Sequence, residues 1–493
     1  MSKQPEQTNK NILNIYQLPI NEQDNILKYD SEPSFSIYPN MPLFKYGFYH
    51  YIHQTKDKME LFEKSSIKDV HKIINAFEDT VPQEEAIKQY KNDNLKASDD
   101  INTFSIKYFN SDKIISRAFY KLWELIIMFP LIKDQTKNIT TIHIAEAPGS
   151  FVQSVIYYRK KFFNSDQISG DKYIGTSIDP PQKKSSDYVP AFNNDLVNNK
   201  LFKKWSYKDS DLTKVDIINK FVSDNSINKA DLITADGGFN WKNENYQEQE
   251  AYILLLSEIY CALQTQKTGG SFVIKFFETF TELTVKMIEI LKRFYETVII
   301  TKPLLSRPSN SERYIVCHNF LNKQNDSNLK YIDKIYEIIK VANSNTNKYL
   351  VDIFPDYQIN PALDIVIKLS STQLSNEQHK QINNMITYYN NGNYYGDEYR
   401  QYLTNRREAN DYWISLFYPI TTKDLNNTRK VINELIKDKI KIITKTVDDL
   451  KSKLEITYFD LDNSKKLSNS DTESDTETDK SESIKPKTKK KSK

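Results

Sequence analysis

Glycine and cysteine are both scarce, with 10 and 2 among 493 residues. With so little glycine, the chain has no phosphate cradle of the GxxxxGK[ST] type, and its one tight strand-to-helix turn, EAPGSF at 146–151, holds a single glycine. Two cysteines, Cys261 and Cys317, exclude a disulfide framework; both lie in apolar stretches and read as buried, reduced thiols of an intracellular protein. Long hydrophobic runs are also missing. The amino terminus is polar, without a signal-like stretch, and the longest apolar run, around 122–132, is far too short to span a membrane. The net charge of +3 is close to balance, so any basic surface must be local. These absences predict a soluble, intracellular protein with no membrane partner.

What is present is organised in blocks. Residues 1–40 are polar and weakly patterned, the signature of a loose N-terminal arm, and 41–111 read as a mainly helical accessory region. Over 112–321 strands alternate with helices. Apolar residues Ile115, Ala118, Phe119, Leu122, Leu125, Ile126 and Phe129 make one helical stripe, with Arg117, Lys121 and Glu124 on its polar edge. Strands are expected at 139–147, 172–179, 230–238, 271–277, 296–303 and 312–320, with helices at about 150–163, 246–266 and 281–295. Thr268–Gly269–Gly270 is expected to cap the 246–266 helix. This alternation predicts an α/β, Rossmann-like domain: a mostly parallel sheet with helices on both faces. Residues 322–462 read as a separate helical module, and 463–493, an acidic then basic run without apolar periodicity, as a disordered charged tail.

In open α/β sheets ligands bind outside the carboxyl ends of the strands. Chemically suggestive residues collect there: the EAPGSF turn, Asp179, Asp211 and Asp236. Acidic residues at such ends accept hydrogen bonds from ribose hydroxyls or an amino group. Lys275 lies inside an apolar strand, where burial should lower its pKa and make it a base; Lys121 would act in the same direction, while Asp236 and Glu312 would orient the amines and oppose it. Glu312 opens a strand at SERYIVC, after the loop KPLLSRPSN.

The stretches SRAFYKLWE, EAPGSF, ADGGF, GGSFVIKFF and KPLLSRPSNSERYIVC together resemble the FtsJ-type (RrmJ-like) S-adenosylmethionine-dependent ribose 2′-O-methyltransferases, most closely their eukaryotic and viral mRNA-cap branch. The resemblance runs from about 116 to 320. It implies a catalytic Lys121–Asp236–Lys275–Glu312 tetrad in which Lys275 takes the proton of a ribose 2′-hydroxyl. It implies S-adenosyl-L-methionine as methyl donor, contacted by Glu146, Ala147, Pro148, Gly149, Ser150, Phe151, Asp179, Asp211 and Asp236, and no metal. Ser150 stands where the family usually has a second glycine, and SIDPPQ at 177–182 departs from the family pattern. Arg117, Arg307, Ser309 and Arg313, with the lysine pairs at 183–184 and 203–204, are the candidate RNA contacts. The implied partner is capped mRNA or another RNA, with other capping or transcription proteins as further partners; ribosomal or transfer RNA substrates and a non-catalytic RNA-binding scaffold are the alternatives. Abundant Asn, Ile, Lys and Tyr, as AT-rich coding produces, taken beside the resemblance to the cap branch, suggest a large DNA virus, hence a cytoplasmic replication site or virion, or a protist, hence nucleus or cytoplasm.

Overall fold

A computed structural model describes residues 13–19, 32–44, 46–59, 70–78, 114–133, 137–179, 190–227, 229–238, 241, 243–321, 326–345, 347–357, 359–391, 396–419 and 421–470. Among the described residues ten strands fall into two sheets. The strands are β1 (Asn14–Gln17), β2 (Ser34–Ser36), β3 (Thr140–Ile144), β4 (Lys172–Thr176), β5 (Phe202–Lys204), β6 (Ala230–Ala235), β7 (Gln266–Phe276), β8 (Tyr295–Lys302), β9 (Arg313–Phe320) and β10 (Tyr349–Asp352). The large sheet runs β1-β8-β9-β7-β6-β3-β4-β5. Its half from β5 to β7 is parallel, β9 is antiparallel to both β7 and β8, and β1 closes the edge antiparallel to β8. This is the mixed, mostly parallel α/β sheet that the sequence pattern implies.

The principal helices are α1 (Tyr46–Asp57), α2 (Ala118–Met128), α3 (Ser150–Phe162), α4 (Val215–Asn225), α5 (Tyr252–Thr265), α6 (Glu282–Phe294), α7 (Asp326–Ser344), α8 (Pro361–Asn391), α9 (Asp397–Phe417) and α10 (Thr422–Ser470). Side-chain alternation divides the sheet's two faces. Leu232, Val273, Tyr314 and Val316 join the core formed with α2 and α3, whereas Ile233, Phe272 and Ile274, also fully buried, point the opposite way. No described helix is long and apolar enough to cross a membrane.

Three features differ from the sequence reading. In place of a loose arm, the segment before residue 40 supplies β1, whose Ile15 is fully buried, and β2, which pairs with β10. The glycines at 269–270 do not cap a helix: α5 ends at Thr265 and both glycines lie inside β7. Between Ala230 and Leu232 of β6 the partner register jumps from Gln266 to Ser271, so β7 loops out extra residues, and Gly269 takes the positive φ of 78° that this bulge needs. The helical region after 322 is not separate. Trp413, Leu416, Phe417, Leu425 and Ile432 of α9 and α10 pack into the α2–α3 core, and Trp123 Nε1 donates to the Phe417 carbonyl at 2.7 Å. One compact unit extends to Ile443, and the chain from Thr444 is a second unit that continues α10 to Ser470. Residues 79–113, the lysine pair at 183–184 and the tail from 471 lie outside the described residues.

Candidate active site

The β7–β9 register sets Lys275 opposite Tyr314, two residues beyond Glu312, at the carboxyl end of the parallel strands. Lys275 Nζ lies 3.1 Å from Asp236 Oδ1 and donates to the Asp236 carbonyl at 2.9 Å. Tyr314 OH donates to the same Asp236 Oδ1 at 3.3 Å. Lys121, one helical turn into α2, forms a fork with Glu312 at 2.7 and 2.9 Å. Ser306 Oγ donates to Glu312 Oε1 at 2.8 Å. All four tetrad candidates therefore meet in two ion pairs, each side chain only 13–18 % exposed.

The electrostatics correct one expectation. Burial pulls Lys275 down, but Asp236, Glu312 and Glu258 outweigh it and hold the amine above an ordinary lysine. Burial pushes Glu312 up, and Lys121, Lys275 and Lys302 reverse this and keep it well below the usual carboxylate range. Beside the tetrad candidates it is Lys302 whose pKa is lowered: burial brings it down to about 7, and nearby Arg313 and Lys121 add to the effect against Glu312. Lys302 Nζ nevertheless meets three acceptors, the Asn310 carbonyl at 3.0 Å, Asn310 Oδ1 at 2.6 Å and the Glu312 carbonyl at 2.6 Å. It ties the end of β8 to the turn that presents Glu312.

Glu124 ties the same loop from the other side. Its buried carboxylate accepts from the Leu304 and Leu305 amides at 2.7 and 2.9 Å and from Trp413 Nε1 at 3.1 Å. Burial raises Glu124 to about 7 despite these donors. Sequence reading placed Glu124 on a polar edge and gave Lys302 no role. A signal was available: both are charged residues amid apolar neighbours, in elements that must be buried.

The cofactor candidates divide. Glu146 is buried and accepts from the Phe151 amide at 2.6 Å, so its carboxyl caps α3 rather than facing a ligand. Phe151 is fully buried against Tyr314, and Ser150 Oγ pairs with Ser116 Oγ at 2.7 Å; both belong to the packing between α2 and α3. Ala147 and Pro148 are half-buried across a cis peptide, and Gly149 at the helix N-terminus is left-handed, with φ 105°. Asp179 pairs with Lys204 at 2.5 Å, and Asp211 Oδ1 accepts from the Thr213 amide and hydroxyl at 3.0 and 2.7 Å; both carboxylates stay partly exposed.

The RNA candidates divide too. Strand alternation sends Arg313 to the face opposite Tyr314, where it is 1 % exposed and donates to Thr279 Oγ1 at 3.0 Å, so it is a core residue and no RNA contact. Arg117 and Arg307 both engage Glu78, at 3.5 and 2.7 Å, and Arg117 also donates to the Leu305 carbonyl at 2.9 Å. The Ser309 carbonyl accepts from Gln378 of α8 at 3.0 Å. Arg307 and Ser309 remain half-buried near the site's rim. Trp241 and Phe277 meet edge to face at 4.7 Å, with Lys275 Nζ 5.7 Å from the Phe277 ring centre, and exposed Gly238 lies beside them. This aromatic wall was not read from the sequence.

Residues 114–320 match the model of the FtsJ-like methyltransferase family. Over 215 residues the chain is 30% identical to cap-specific mRNA (nucleoside-2′-O-)-methyltransferase 2 of Pongo abelii, covering 42% of this chain and 27% of that protein. It is 32% identical over 229 residues to cap-specific mRNA (nucleoside-2′-O-)-methyltransferase 1 of Bos taurus, covering 44% and 26%. A protein of Acanthamoeba polyphaga mimivirus with no named function is 26% identical over 292 residues, covering 59% and 35%. The chain thus spans about a quarter to a third of the length of these relatives.

Proposed function

We propose that this chain, which carries an FtsJ-like methyltransferase domain at 114–320, transfers a methyl group from S-adenosyl-L-methionine to a ribose 2′-hydroxyl near the 5′ cap of mRNA. The observation that carries the reading is the meeting of Lys121–Glu312 with Lys275–Asp236 at the carboxyl end of the parallel strands, inside the matched domain. The cap as substrate rests on the cap-specific relatives.

Residues at the carboxyl ends of the strands fit the donor. Asp179 and Asp211 offer partly exposed acceptors for hydroxyl or amino groups, and Thr176 Oγ1, at the end of β4, is buried without a hydrogen-bond partner. When bound, S-adenosyl-L-methionine supplies a methyl already activated by its sulfonium. Lys275, in its neutral fraction, would accept the 2′-hydroxyl proton and so ready the ribose oxygen to take that methyl, the donor's sulfur keeping the carbon–sulfur electron pair. Asp236 fixes the direction of Lys275, while Lys121 and Glu312 hold the second pair beside it. General-base assistance of this kind contributes roughly 10²–10⁴-fold. Arg307 and Ser309 border the RNA. The reading extends to other capping or transcription proteins as partners.

The test is methyl transfer from labelled S-adenosyl-L-methionine to three short RNAs, bearing a methylated-guanosine cap, an unmethylated cap or a 5′-triphosphate. Transfer that requires a cap supports the proposal. Transfer to all three, or to structured ribosomal or transfer RNA alone, moves the activity to another RNA. No transfer to any RNA, with the donor bound or unbound, favours a scaffold.

A further inference from the structure

Glu258 is the carboxylate that the tetrad leaves out. It lies on α5, behind the turn that follows β6, is 0 % exposed, and the Gly237 amide faces its carboxyl. A carboxyl so placed is costly to bury, and costlier ionised. Its position is close to the site. A Cβ added at Gly237 would stand 2.3 Å from Glu258 Oε1, so the chain passes directly over this carboxyl between Asp236 and the exposed Gly238. Only glycine allows that approach.

The charged groups around it are few. Asp236 faces Glu258 from the end of β6 and Lys275 from β7, and Cys261 lies one turn along α5. Lys275 in turn is faced by Asp236, by Glu312 just before β9, by Glu258 and by Glu146, which burial holds well above the usual carboxylate range. The Asp236–Lys275 pair already balances one carboxylate against one amine, and Glu312 has Lys121. An ionised Glu258 would be an extra negative charge beneath them.

We infer that Glu258 is a positioning residue that tunes Lys275: it holds a proton at neutral pH, and on losing that proton at alkaline pH it strengthens the grip on the Lys275 ammonium. Burial raises Glu258 to about 8, with Asp236 adding to the shift and Lys275 and the Gly237 amide opposing it. Ionising Glu258 adds one negative charge to those that Lys275 already faces. The two groups titrate as a coupled pair. As pH rises, the neutral fraction of Lys275 grows tenfold per unit, pauses where Glu258 ionises, then resumes. The pause begins near pH 8 and is roughly one pH unit wide for a coupling of this kind.

The inference rests on the function proposed above only for its kinetic readout. In the wild type, the logarithm of the single-turnover methyl-transfer rate should rise with pH, flatten from about pH 8 and rise again; in Glu258→Gln it should rise without the pause. Independently of activity, the ¹³Cε resonance of Lys275, identified by its loss in Lys275→Arg, should titrate at lower pH in Glu258→Gln, by roughly one unit. If Glu258→Gln folds poorly, Glu258→Leu carries the same two measurements. Unchanged Lys275 titration in a folded variant overturns the inference. A wild type that transfers no methyl overturns the proposed function and leaves the resonance measurement to decide this one.

Discussion

Around the loop between β8 and β9, single residues decide whether Glu312 is in place. Lys302 holds the turn through three acceptors and Glu124 holds its start through two amides. Lys302→Met orphans the Asn310 and Glu312 carbonyls and leaves Asn310 Oδ1 to Ser306 Oγ at 3.5 Å; each unsatisfied group costs about 1–3 kcal/mol. The variant should lose methyl transfer by more than tenfold and unfold at lower temperature, measured by single-turnover kinetics and calorimetry. Glu124 gives a pH signature. Its pKa is about 7 in the fold against 4.5 for the free group, so its contribution is fully present below about 4.5 and is lost as pH rises through 7. Glu124→Gln has no such titration, and the wild-type-minus-variant stability should fall by roughly 3 kcal/mol between pH 4.5 and 7 in urea melts. A pH-independent difference would reject this assignment. Lys275 was legible as a candidate because it interrupts an apolar strand, and Glu312 because it opens one. The direction of the Lys275 shift was not, because it depends on how many carboxylates converge in space, and Glu258 comes from a helix with no visible link to Lys275 in sequence.

At the level of elements, alternation along β9 sorts neighbouring residues to different work: Glu312 and Tyr314 reach the tetrad, and Arg313 is locked among Thr279 and Ser371. A strand's existence can be read from apolar period, but which residues face which layer depends on the partner strands' register. The same holds for β7, where the two glycines looked like a helix cap because a bulge and a cap both call for a left-handed residue. β1 was hidden for another reason. Four residues of an edge strand carry too little periodicity to be seen, yet Asn14 pairs with Lys302 and Ile15 with Thr301. Ile15 is fully buried, so Ile15→Ala should cost about 2–5 kcal/mol, read as a lowered urea midpoint. A midpoint unchanged from wild type would mean that β1 is not part of the stable sheet.

Across the whole molecule, the helices after the last strand complete the core rather than decorate it. Trp413 donates to Glu124, Trp123 donates to the Phe417 carbonyl, and Phe417 is fully buried. Composition suggested a boundary near 322 because the strand alternation stops there; it could not show that later helices fold back on α2. A chain cut to residues 114–320, the span that matches the family, should expose Trp123 and its neighbours and unfold without a sharp transition by near-ultraviolet circular dichroism. Cooperative melting of that fragment would contradict this account of the core.

The central claim, that Lys275 moves the proton of a ribose hydroxyl, is tested most directly by mapping the product. Capped RNA treated with wild type or Lys275→Ala would be digested and its nucleosides identified by mass spectrometry, with S-adenosyl-L-methionine binding measured on both proteins. A 2′-O-methylated nucleoside beside the cap, at least 10²-fold reduced in Lys275→Ala while donor binding persists, is the predicted result. A base-methylated product, or full activity in Lys275→Ala, would contradict it.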